Sequence, residues 1–152
     1  MRIDRAATCG IEGLMQPDIL TKLAKHLYGL RDTGQIIPFA QVGIGDPSEA
    51  DSWRPSPKFC HANVETWVMR SPEYVIVRGW VIFNMSGAPF LVPPFYRFAA
   101  HSVIRTPAGK LLDITPTDVS QPYPFIQHPG STAEFDQLRL QYQIVYVDHY
   151  LG

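Results

Sequence analysis

The feature that most constrains the fold is a succession of three extended segments with turn signals between them, from residue 74 to residue 116. Tyr74-Val75-Ile76-Val77-Arg78-Gly79-Trp80-Val81-Ile82-Phe83 is so rich in β-branched and aromatic residues that it predicts a mostly buried strand. Asn84-Met85-Ser86-Gly87 ends it, and a proline-rich connection from Pro89 to Pro94 leads into a second strand, Tyr96 to Arg105. Thr106-Pro107-Ala108-Gly109 reads as a turn, and Lys110 to Thr115 as the returning strand, stopped by Pro116. The core is therefore expected to be an antiparallel sheet with a tight hairpin in it.

Helical signals precede and follow this block. Pro17 suits a first helical position, and Ile19, Leu20, Leu23 and Leu27 repeat at helical spacing before Gly29, a C-cap candidate. Lys22, Lys25 and His26 are expected to face water. Residues 30–58 carry many glycines and prolines and predict a loop with one short strand from Ile36 to Val42. Cys60 to Met69 places Val64, Trp67 and Val68 on one helical face, between Ser56-Pro57 and Ser71-Pro72. A short helix is expected from Thr132 to Leu138 and a last strand from Gln143 to Val147.

Composition narrows the function classes. The 152 residues suit a single domain, 1–152, with an N-terminal helical segment at about 1–30 and a core at about 59–116. A formal net charge of −1 without a long basic run gives no electrostatic support for nucleic acid or an anionic membrane as partner. No apolar stretch is long enough for a membrane span, and the first residues lack the apolar core of a secretory signal, so a cytoplasmic location is the default expectation. Delivery or secretion without a cleaved signal would leave the same sequence. Of the two cysteines, Cys9 and Cys60, neither sits in a CxxC pair, and in such a compartment both are expected to stay reduced.

The chemistry-bearing residues are Cys60, His101 and Asp113. Cys60 opens a helix, where unpaired amides and the helix dipole favour thiolate. His101 and Asp113 are equidistant from residue 107, inside the predicted turn, so they are expected to oppose each other across the hairpin on one face. An aspartate beside imidazole fixes its tautomer and stabilises its cation, and such a histidine activates a thiol. Each residue also has a plain structural role open to it: a buried thiol, a core histidine, a turn-capping aspartate. Gln41 and Gln35 are candidate oxyanion donors upstream, with the Cys60 amide as the alternative. His61 is expected to shape the rim, since adjacent helical residues point about 100° apart and a direct pairing with Cys60 is awkward. Trp80, with Trp53, is a candidate aromatic wall, although core packing suits Trp80 better.

A helix-start cysteine, then a strand with histidine, then a strand with aspartate, resembles the transglutaminase-like core of the papain-like cysteine protein superfamily. The order and short separations are similar to those of arylamine N-acetyltransferases. The phrases Phe59-Cys60-His61-Ala62-Asn63-Val64-Glu65, Gly79-Trp80-Val81-Ile82 and His101 to Pro116 are similar to small bacterial papain-like proteins. The resemblance implies an α+β fold, a helix packed on an antiparallel sheet, with nucleophile Cys60, base His101 and orienting Asp113. It implies a hydrolase acting on an amide of a peptide or protein (peptidase, amidase or glutamine deamidase), with no cofactor and no metal. The rival readings are an amine acyltransferase, a binding module on the same scaffold, and a metal site made by Cys60, His61, His101 and Asp113.

Overall fold

The computed structural model describes residues 18–87, 93–117 and 123–152; Cys9, Pro17 and most of the proline-rich connection lie outside them. The order along the chain begins with α1, residues 18–29, followed by a short 3₁₀ turn, Arg31–Thr33. Then come α2 (Cys60–Arg70), β1 (Val75–Asn84), β2 (Phe95–Arg105), β3 (Leu111–Leu112) and β4 (Phe125–Gln127). The chain closes with α3 (Thr132–Asp136), a π-helical turn (Gln137–Gln141) and β5 (Tyr146–Tyr150). The class is α+β: one antiparallel sheet ordered β3-β2-β1-β4, with β5 also paired to β2.

β1 and β2 form the centre, pairing from Val75↔Arg105 to Asn84↔Tyr96. Because side chains alternate along a strand, this register puts the even-numbered residues of both strands on one face and the odd on the other. The even face is covered by helices. Trp80, Ile82 and Phe98 pack with Ala24 and Leu27 of α1 and with Phe135 of α3. Ile104 packs with Val64 of α2, joined by Trp67, Val68 and Ile76. The odd face holds Val77 and Val103, closed over by Phe125 and by Ile37 from the long loop.

The two helical faces form as their spacing predicts, with Lys22, Lys25 and His26 exposed; Ile19, expected inward, is 42% exposed instead. The Ile36–Val42 strand does not form. Within that segment only Phe39 makes a bridge, to Asp113, while Gln35 and Ile44 on either side bridge to Phe125 and Trp53. The returning strand is also shorter than expected. It pairs Ile104 with Leu112 and Arg105 with Leu111, which centres the hairpin on residue 108 instead of 107. Gly109 takes φ +90° in this turn, a backbone state that glycine adopts without a Cβ penalty. Asp113 leaves the hairpin and bridges to the loop: its amide donates to Pro38 O and its carbonyl accepts from Ala40 N, both at 2.9 Å. β5 begins three residues later than its apolar pattern suggests.

Candidate active site

β2 is shared along one edge. β5 pairs with Phe95 to Ala99 and β3 with Ile104 and Arg105, so residues 101–103 lie between the two ladders. The N-terminus of α2 comes to this stretch of β2, and the candidate residues meet there.

Cys60 is the first residue of α2, preceded by Phe59 as an N-cap with no side-chain capping bond. The first amides of a helix have no partner within it, so an anion at this end is favoured. Burial pushes the Cys60 thiol up, but hydrogen bonds with His101 and then His61 outweigh it, and the result falls from 9.0 to about 6. For His101 burial works downward, while hydrogen bonds to Asp113 and to Cys60 raise it from 6.5 to about 10. Both directions favour a thiolate beside an imidazolium. The Cys60–His101 interaction contributes to both shifts, lowering the thiol and raising the imidazole, beside the effects of His61 on the one and Asp113 on the other.

His101 Nε2 lies 2.7 Å from Asp113 Oδ2, with the two side chains 19% and 23% exposed. The other carboxylate oxygen accepts from the Thr115 amide at 3.0 Å, so Asp113 is fixed at both ends. With Nε2 committed to Asp113, the Cys60 contact falls to His101 Nδ1. The sequence paired these two residues directly across the hairpin. The register instead sets Asp113 diagonally from His101, two positions along, and the face survives because an even displacement does not flip a side chain. The Phe125 ring stands edge-on to His101 with centroids 6.3 Å apart. It reaches that position across Gly79, the partner of His101 on β1, where a β-carbon would collide with the ring and with the Ile126 carbonyl.

The structure brings His61 to the thiol, against the expectation of divergence. Its Nδ1 is 2.6 Å from the hydroxyl of Ser102, so Nε2 is the ring nitrogen left for the interaction with Cys60. Trp80 is 1% exposed in the core and donates its indole N–H to His128 Nδ1 at 3.0 Å, so it packs rather than walls the site. Gln41 is exposed, two residues past the Phe39–Asp113 bridge, and its side chain makes no hydrogen bond among the described residues. Gln35 is tied by its backbone to Phe125. Cys60, His61, His101 and Asp113 do not converge as a metal-holding group among the described residues.

Three residues were missed from sequence. Asn63, 3% exposed, accepts from Ser56 N at 3.0 Å and donates to Ser56 O at 2.9 Å and to Thr115 Oγ1 at 3.0 Å. It joins the start of α2 to the loop after Asp113. Arg78 and Ser102, partners across β1 and β2, form a buried polar pair beneath His61. An arginine inside an apolar strand run was the available signal for the last two.

The chain matches no protein-family model, no curated protein and no solved structure.

Proposed function

We propose that this protein is a thiol-dependent acyl-transfer enzyme, a hydrolase of an amide bond, with Cys60 as nucleophile, His101 as acid and base, and Asp113 orienting His101. A papain-like arrangement, with the cysteine on a helix start and the histidine on the sheet, is part of this proposal. The observation that carries it is the His101–Asp113 pair, 2.7 Å apart, whose imidazole interacts with the Cys60 thiol at an uncapped helix N-terminus.

The thiolate attacks the substrate carbonyl carbon; a C–S bond forms and the carbonyl electron pair moves to oxygen. In this reading the free amides at the start of α2 receive that charge. As the tetrahedral adduct collapses, the C–N bond breaks and the His101 imidazolium gives its proton to the departing amine. Water then attacks the thioester while His101 takes one of its protons. Breakage of the C–S bond releases a carboxylic acid and restores the thiolate–imidazolium pair. Water is the simplest acceptor because it needs no second binding site; an amine in its place gives acyl transfer.

The test is the pH dependence of Cys60 alkylation by iodoacetamide in a Cys9→Ser background. The expected midpoint is near pH 6, moving several units upward toward that of an ordinary thiol in His101→Ala. A midpoint near 9.0 in the parent protein, indifferent to His101, refutes the proposal and leaves a binding module on this scaffold.

A further inference from the structure

We infer that His61 is a second catalytic hydrogen-bond donor at the Cys60 sulfur, held in its Nε2–H tautomer by a buried relay from Arg78 through Ser102. The inference rests on the reading of Cys60 as nucleophile and adds a role for three residues outside the triad.

The relay can be followed proton by proton. A guanidinium has donors only, so Arg78 Nη1–H donates to Ser102 Oγ, 2.9 Å away. Ser102 is fully buried, and besides Arg78 its Oγ has one partner among the described residues, His61 Nδ1 at 2.6 Å. Its hydroxyl proton therefore has one place to go. Donated to Nδ1, it satisfies both atoms; withheld, it becomes a buried unpaired donor, which is costly. With Nδ1 accepting, the neutral ring carries its proton on Nε2, the nitrogen left for the sulfur. A ring in this tautomer stabilises the thiolate and does not take the thiol's proton, which separates its task from that of His101.

The base of the relay is fixed from three elements. Arg78, with its side chain 5% exposed, pairs with Glu65 of α2 at 2.7 Å and faces Asp136 of α3 at 3.6 Å. Arg139 bridges the same two acids at 3.0 and 3.3 Å. The Phe135 ring stands edge-on to His61 with centroids 5.9 Å apart, limiting its swing. Ser102 and Arg78 act through His61 and are positioning residues.

The experiment uses the full chain with Cys9→Ser, and nitrogen-15 NMR of labelled histidine beside the alkylation profile. The parent protein should show His61 protonated on Nε2 and an alkylation midpoint near pH 6. His61→Phe should raise the midpoint by about one pH unit, a roughly fivefold loss of thiolate at pH 6, and His61→Gln, which keeps an N–H donor, should restore much of it. Ser102→Ala should mix the tautomers and raise the midpoint part of the way, which a purely packing role would not do. His61 protonated on Nδ1 in the parent, or midpoints unchanged in His61→Phe and Ser102→Ala, overturns the inference while leaving the triad standing. A parent midpoint of an ordinary thiol instead refutes the nucleophile reading and takes this inference with it.

Discussion

Asn63→Ala offers the sharpest check on how the site is held together. The side chain makes three hydrogen bonds, two to the Ser56 backbone and one to the Thr115 hydroxyl, at 2.9–3.0 Å. A typical bond contributes about 1 ± 0.5 kcal/mol, so three give about 3 kcal/mol. The Ser56 groups are only partly buried and regain water on truncation, whereas the Thr115 hydroxyl, on a residue 7% exposed, does not. The expected loss is therefore about 2–3 kcal/mol. With a urea dependence of about 2 kcal/mol/M for a domain of this size, the unfolding midpoint falls by about 1 M. Urea unfolding followed by tryptophan fluorescence measures it, and Asn63→Asp, which keeps the acceptor but loses the donors, should fall between parent and alanine variant. Alkylation of Cys60 in the folded Asn63→Ala protein should also slow, because the helix start is no longer tied to the loop carrying Asp113. A midpoint within about 0.2 M of the parent would show that Asn63 does not bear this load.

The thiolate–imidazolium pair has a definite pH signature. Cys60 is lowered on folding, so its contribution is present above 9.0 and lost as pH falls through about 6; His101 is raised, so its contribution is present below 6.5 and lost as pH rises through about 10. Between 6.5 and 9.0 folded and unfolded chains hold the same number of protons on the pair, on His101 in one and on Cys60 in the other. Stability from the pair should thus be flat across that window and decline outside it. Unfolding in urea at pH 7.5 should erase an ultraviolet thiolate absorbance that Cys60→Ser never had, and a folded protein without that absorbance would contradict the charge assignment. At Gly79, a methyl group meets backbone as well as the Phe125 ring, so Gly79→Ala should cost about 2–3 kcal/mol. It should also shift the ring that stands against His101, and a thermal midpoint equal to the parent's would refute the close packing.

The strands and helices were legible where one local signal dominated. β-branched and aromatic residues gave β1 and β2, and the 3.6-residue spacing of Val64, Trp67 and Val68 gave α2. β4 escaped because Phe125-Ile126-Gln127 is too short to stand out and becomes a strand only by pairing with β1. Residues 36–42 had strand-like composition but found only a single bridge, from Phe39 to Asp113, since a strand needs a partner ladder as well as a composition.

The candidate site divides in the same way. Helix-start position and strand parity are local properties, so Cys60, His101 and Asp113 could be singled out from order and spacing, and a register error of two residues left the face unchanged. Which nitrogen of each histidine meets which partner depends on contacts between residues far apart in the chain. Ser102 turns His61 to the thiol from 41 residues away, and Asn63 binds Thr115 across 52. By itself the sequence determined the secondary elements and the chemistry available at each position. Only the tertiary structure decided that the start of α2 meets β2 in the gap between β3 and β5, because long-range packing, rather than local propensity, sets where elements cross.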